Sequence, residues 1–371
     1  MYGKVETKSL MWWQNWQIRD RGQVSGWRVA AFRAGAIIVA LLISGLIAEM
    51  GGASAIEVAH AIGRSISTYG GFAEVLVVAA PVVMTGLAVA LALRAHLWNL
   101  GGDGQLLMGA WAAAGVGLNV EAPVIIVFIL MAIAAATAGG IWAGIAAVAR
   151  ARWHVSELLV TLLLNFVAGL WTLYFVTGPW RAANFGSLAA TDRIPYSIPA
   201  IASGRGHIGF LVPLMLAAVL LHVLRHTKWG YELSVVGEGH KVARYATIGL
   251  RARVTQVLIV SGMIAGLAGS VEVVGTLHRL TTSVTNNYGL YGVIVAVIAH
   301  NSPIGVVVTG FAVGVLLNAG IAIRSLGVSP NIVLVANALV LLAVVVTDVV
   351  ARYGIQRRNA DVGDLPKDGT T

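Results

Sequence analysis

A chain of 371 residues that is 58% hydrophobic and 11% charged is not a soluble globular domain, in which about a quarter of residues carry charge. It has no cysteine, which excludes disulfides, thiol chemistry and zinc–thiolate sites. The net charge of +9 would suggest nucleic acid as a partner of a soluble protein; here apolar runs of about 20 residues recur, so the basic excess reads as the positive-inside signal of a polytopic membrane protein, with lipid as its surroundings and no nucleic acid.

Residues 1–29 carry Lys4, Lys8, Arg19, Arg21 and Arg28 ahead of the first apolar run. No small-x-small cleavage pattern leads into a soluble domain, so this stretch reads as a cytoplasmic tail before a retained span. Ten spans are predicted, near 30–49, 72–96, 104–119, 123–149, 155–177, 208–226, 254–275, 290–300, 304–323 and 331–350. The runs are continuous rather than alternating, which makes the transmembrane domain 30–350 all-α. The eighth is too short to cross alone and reads as a broken or half-length helix, leaving nine as the other count. With the N-terminus inside, 19 of the 25 Lys and Arg residues fall on the inner side and 6 on the outer, so both termini, including a polar tail at 351–371, are expected in the cytoplasm. Residues 178–207 then form an external loop with room for a short interfacial helix, and 227–253 a charged internal one.

One polar stretch interrupts the apolar pattern, Trp98-Asn99-Leu100-Gly101-Gly102-Asp103-Gly104-Gln105. Asn-x-Gly-x-x-Gly occurs there at Asn99–Gly104 and again at Asn287–Gly292. Upstream, Glu74-Val75-Leu76-Val77-Val78 matches Gln256-Val257-Leu258-Ile259-Val260; the two offsets are 182 residues (74 to 256) and 188 (99 to 287). The segments 72–177 and 254–350 therefore read as repeats, and the charge count gives them opposite orientation, the mark of inverted-topology transporters. Asn99, Gly101, Asp103, Gly104, Gln105, Asn287, Gly289 and Gly292 are the expected pivots. Glycine admits positive φ and close backbone approach, and Asp103 reads first as an N-terminal helix cap. The first motif is placed toward the inner side and the second toward the outer.

Polar residues inside spans are costly and few. Asn165 sits mid-span, where its amide could meet a ribose hydroxyl, a base edge or a neighbouring helix; Phe166 and Trp171 beside it could stack on a base. Glu74, Glu157 and Glu272 fall near span ends, where hydration or capping explains them. Gly139–Gly144, Gly262–Gly266 and Gly310–Gly314 have the spacing of close helix packing. His96, His154, His278 and His300 show no metal-ligand spacing, and no catalytic constellation is evident. In the loop 227–253, Gly237 can end one segment, and Glu238, Lys241, Arg244 and Tyr245 fall in a short helix whose last three share a face.

Residues 92–110 resemble a signature of nucleoside permeases of ABC importers, with Trp98 for its Phe, Leu100 for its Ile, Asp103 for its Glu and His96 for a Gly. His154–Phe166, Val236–Gly249 (with Gly239-His240 for Asn-Pro) and Tyr288–Gly305 resemble further family stretches, in order. The resemblance implies a ten-span fold like that of the vitamin B12 importer permease and a plasma-membrane location. It implies a second, homologous permease, a cytoplasmic ABC ATPase that holds ATP–Mg, and an external solute-binding protein or lipoprotein. It makes residues 238–246 the helix that docks on the ATPase. The chain itself contains no Gly-x-x-x-x-Gly-Lys-Ser/Thr, so a P-loop is not expected on it. The alternatives are an ion-coupled secondary transporter and a permease of the same type for a simple sugar or branched-chain amino acid.

Overall fold

The computed structural model describes residues 16–20, 45–46, 49, 54–183, 189–201, 206–324 and 329–357. The chain divides into two units, residues 45–337 and residues 1–44 with 338–371. The smaller unit contains β1 (Trp16–Asp20) paired antiparallel with β2 (Tyr353–Arg357), Trp16 opposite Arg357.

The larger unit is helical throughout its regular structure. It runs α1 (Ala55–Ser67), α2 (Tyr69–Arg94), α3 (Gly102–Asn119), α4 (Val124–Trp153), α5 (Glu157–Thr177), α6 (Leu211–His226), α7 (Lys228–Glu238), α8 (His240–Tyr245), α9 (Leu250–Glu272, continued by a π-helical turn to Leu277), α10 (Tyr288–Ile298) and α11 (Pro303–Arg324). α12 (Pro330–Arg352) starts in this unit. Among the described residues, six helices are long and apolar enough to cross a membrane, at 69–94, 124–153, 157–177, 208–226, 250–277 and 303–324. This is a polytopic membrane protein. The predicted spans from 72–96 onward fall on helices; the one at 30–49 lies almost wholly outside the described residues. α10, with 11 residues, is the half-length helix the short apolar run predicted.

α2 and α9 form the core, and α4 and α5 leave most of their surface to lipid or partners. Small residues let the backbones meet. A side chain at Gly139 would strike the Gly262 carbonyl, and one at Gly314 would come within 2.6 Å of the Ala79 methyl, so these glycine pairs act as the sequence spacing suggested. α1 went unpredicted. Ser54 caps it through Ile56 N–H (3.2 Å), and Glu57 reaches back to Ser54 N–H (3.1 Å), a capping box that ends the preceding stretch.

His96, His154, His278 and His300 have a common explanation. All four take left-handed backbone, with φ of 54°, 57°, 53° and 52°, just past the ends of α2, α4, the π-helical turn and α10. They terminate helices where glycine or asparagine is usual. No metal-binding cluster of His, Asp or Glu occurs among the described residues.

The loop 178–207 contains no helix in its described residues. It is strapped down as extended chain: Arg181 bridges Thr191, Ala190 bridges Thr281, and Ala200 bridges His207. Ile194 N–H reaches the His278 carbonyl (2.8 Å), and Tyr196 donates to the Val120 carbonyl (3.0 Å), so the strap covers the ends of α3 and α9.

Candidate functional site

The two Asn-x-Gly-x-x-Gly motifs touch. Gly289 Cα lies 3.0 Å from where a Cβ on Gly102 would stand, and a Cβ on Gly289 would collide with the Asp103 backbone. The expectation that one motif lies toward each side is corrected by this contact: α3 and α10 both start within the bundle, with their N-termini converging. Positive φ is not what the motif glycines supply here. Among the described residues only Gly239 among glycines has it, and the left-handed positions before α10 are Asn286 (φ 40°) and Asn287 (φ 60°). Gly102 and Gly289 supply closeness.

Asp103 belongs to this contact. It does not cap its own helix; Gly101 occupies that position, with no side-chain cap bond. Its Oδ1 accepts the Gly289 N–H at 2.8 Å. One negative charge thus sits in the first turn of α3 and caps the first turn of α10. Each helix start presents roughly half a positive charge and unpaired N–H groups, and the carboxylate answers both. Thr85 Oγ1 lies 2.8 Å from the Tyr288 carbonyl, holding the start of α10 to α2.

A buried amide network fixes the first motif. Asn99 Nδ2 donates to Gln105 Oε1 (2.9 Å) and to Ser261 Oγ (2.7 Å), Gln105 Nε2 donates back to Asn99 Oδ1 (2.8 Å), and Ser261 donates to the Ala88 carbonyl (2.6 Å). The irregular turn 95–101 is thereby tied to α2, α3 and α9. Asn165 completes it from α5: Oδ1 accepts from Gly104 N–H and Nδ2 donates to the Leu100 carbonyl, both at 2.8 Å. Both ends of this amide serve the backbone of the turn. Replacing Asn165 with alanine leaves a half-buried N–H and a carbonyl unanswered; a loss of about 1–3 kcal/mol, read as earlier thermal unfolding in detergent, is expected.

Phe166 and Trp171 do not converge on Asn165. Phe166 is 72% exposed on the outer face of α5, in a stripe with Leu159, Leu163, Leu170 and Tyr174. Trp171 joins Trp111, Phe175 and Trp180 in an aromatic group that sequence reasoning missed, because its members come from separate elements.

At the end of the bundle where α2 stops, ion pairs fasten the helices. Glu157 meets Arg150 Nε at 3.2 Å and lies 3.4 Å from Trp98 N–H, and Glu232 binds Arg253. Glu157 is buried, so hydration does not explain it; it staples α4, α5 and the turn. Gly237 does not end a segment. It lies buried inside α7, and a Cβ there would strike the Arg94 carbonyl at the end of α2. The break comes at Gly239, with φ 150°, a conformation L side chains rarely adopt. Glu238 closes α7, and α8 then carries Lys241, Arg244 and Tyr245. Ala243 is its buried anchor, while Val242, Arg244 and Tyr245 (90% exposed) point away from the bundle.

At the opposite end His207 is buried against Gly275. Its Nδ1 accepts Gly209 N–H (3.1 Å), leaving Nε2 to face Thr276 Oγ1 (3.5 Å), and Thr276 donates to Glu272 (3.2 Å). Glu272 is thus secured to the π-helical turn. Burial, then the neighbouring His278, lowers the His207 pKa from 6.5 to about 4. The unfolded chain therefore binds this proton first as pH falls, so the stability His207 provides is present above pH 6.5 and is lost between about 6.5 and 4. A His207→Gln variant is expected to flatten the pH dependence of thermal unfolding across that window.

The match of the chain to known proteins agrees with this architecture. Residues 71–346 match the family described as branched-chain amino acid transport system / permease component. A glucose ABC transporter permease protein of Haloferax volcanii is 33% identical over 83% of this chain and 84% of its own length. A guanosine ABC transporter permease protein of Bacillus subtilis is 33% identical over 63% of this chain and 69% of its own, and a nucleoside ABC transporter permease protein of Lactococcus lactis is 24% identical over 79% and 81%.

Proposed function

This chain belongs to the family of branched-chain amino acid transport system permease components, and from that premise we propose that it forms half of the path by which an ABC importer carries a nucleoside across the plasma membrane. The family match over residues 71–346 carries the reading. The relatives named for guanosine and nucleosides favour that solute class, and the segment 98–105, where the signature lies, is the one around which the bundle is tied. A second permease pairs with this one, ATPase subunits holding ATP–Mg supply the energy, and a solute-binding protein delivers the cargo. Both termini lie in the cytoplasm, and the helices follow the ten-span plan of the vitamin B12 importer permease. α8 is the element that meets the ATPase, because its apolar and basic side chains stand free on an anchored support.

The glucose relative, which covers more of this chain than the guanosine one, favours a second reading in which the solute is a simple sugar. One experiment separates the readings. The permease, its ATPase and its binding protein are reconstituted in proteoliposomes and offered labelled guanosine, glucose or leucine. ATP-dependent guanosine uptake is expected. Glucose uptake without guanosine uptake transfers the function to the sugar reading, and uptake driven by an ion gradient without ATP overturns the importer assignment.

A further inference from the structure

Two polar atoms, one in an aromatic group between α3 and α5 and one on α5 beside it in sequence, are buried without partners. Trp111 stacks on Trp180 with centroids 5.8 Å apart and rings 12° from parallel, and meets the edges of Trp171 (5.6 Å) and Phe175 (5.3 Å). Its indole N–H is buried without a hydrogen-bond partner, and so is the hydroxyl of Thr172, a fully buried side chain next to Trp171. Other tryptophans here are answered: Trp142 donates to the Leu164 carbonyl and Trp229 to Gln256. A helical threonine ordinarily bonds the carbonyl one turn back, as Thr177 does with Leu173 (2.7 Å). Leaving both atoms unpaired is costly, and a donor and a hydroxyl near aromatic faces are the parts that recognise a flat ring with a polar edge.

Membrane proteins also carry tryptophans at the lipid–water boundary, but there the N–H reaches water. The Trp111 N–H is instead buried and unpaired. The site is also built into the backbone. A Cβ on Gly115 would come within 3.0 Å of the Trp180 ring, so that residue leaves room for the stack. Trp171 is 41% exposed and Tyr174 lies outside it, giving the group an open aromatic face on α5. Trp111 stands nine residues into α3, roughly 13 Å along the axis from Gly102, so the group lies beyond the converging helix starts on the side of the strap.

We propose that Trp111, Trp171, Thr172 and Phe175 form a nucleobase site within the membrane domain, in which the base stacks on Trp171 and its edge takes up the Trp111 N–H and the Thr172 hydroxyl. The ring of Trp171 swings aside to admit it. This rests on the nucleoside reading and adds to it a stop for the solute inside the permease itself.

The test uses the permease–ATPase complex in lipid nanodiscs, without binding protein, and measures equilibrium binding of labelled guanosine, with glucose as the competing arm. Wild type is expected to bind guanosine and not to lose it to equimolar glucose. Trp171→Leu is expected to weaken binding on the order of tenfold, as stacking on one aromatic ring implies. Thr172→Val, which exchanges only the orphaned hydroxyl for a methyl, is expected to weaken it several-fold while thermal unfolding stays put or rises; Trp111→Phe, which also shrinks a ring packed on Trp180, is expected to weaken it with earlier unfolding. Ile125→Ala, on the lipid face of α4, is the control. Equal binding by wild type and all three variants overturns the site, and so does a wild-type complex that binds no guanosine yet imports it once the binding protein is added. Displacement by glucose assigns the site to a sugar face instead and overturns the base. A complete system that imports glucose and never guanosine overturns the nucleoside reading and this site together.

Discussion

An Asp103→Ala variant is expected to unfold several degrees earlier in detergent and to lose most uptake, a larger effect than any exposed substitution in this chain. The carboxylate accepts Gly289 N–H at 2.8 Å, so its removal strands that donor at about 1–3 kcal/mol. It also leaves two helix starts converging with nothing negative between them, which adds up to about 2 kcal/mol in a partly buried setting. Against a stability of about 5–15 kcal/mol, that sum is severe. Asp103→Asn keeps one acceptor and should fall between alanine and wild type. Gly289→Val should reproduce the alanine loss by a different route, since its side chain meets the Asp103 backbone and cannot be accommodated by a rotamer change. Thermal unfolding followed by reconstituted uptake checks all three; an Asp103→Ala protein as stable as wild type would remove the carboxylate from the role given to it.

The sequence made the existence of this crossing legible but not its geometry. Two matching motifs, and an apolar run too short to span, were visible in the residues alone. What periodicity could not express is that α3 and α10 begin against one another, because the contact joins residues 186 apart and consists of glycine backbone. Asp103 was read as a cap of its own helix because capping is a local rule, whereas the N–H it serves lies on another helix. Asn165 had two readings in the sequence for a similar reason: an amide in mid-span serves a solute or a backbone equally well until the turn at 100–104 is placed beside it.

Other features followed the same division. Helix positions could be read from apolar runs, since a bilayer leaves the backbone little choice. The capped helix α1 was passed over for lack of a long apolar run, although Ser54 and Glu57 spelled its start. The strap at 189–201 has no sequence periodicity; its conformation is set by bonds to the end of α9 and the turn after it. The aromatic group is assembled from α3, α5 and the following loop, so only Trp171 drew notice. The spacing of the four histidines excludes a metal-ligand pattern, but it does not report the left-handed backbone by which they end helices.

The second large effect is expected at Gly237. In a Gly237→Val variant the side chain lands on the Arg94 carbonyl, so α7 can no longer seat on the end of α2. The neighbouring pair Glu232–Arg253 should keep α7 helical and attached to α9, which makes displacement rather than unfolding the outcome. If α8 is where the ATPase bears, its movements can reach the turn at 95–101 through this contact, because Arg94 is the last residue of α2 and Trp98 follows four residues later. Uptake should then fall at least tenfold, or about 1.4 kcal/mol of lost coupling, while ATP hydrolysis and insertion continue. Arg244→Glu tests the other end of the same lever. Its side chain is exposed and anchors nothing in the fold, so it should leave stability unchanged and weaken ATPase association. Both are read by comparing hydrolysis with uptake in one proteoliposome preparation. Hydrolysis and uptake that fall in step in Gly237→Val would place the defect in assembly, and normal uptake in both variants would show that force enters the bundle by another route.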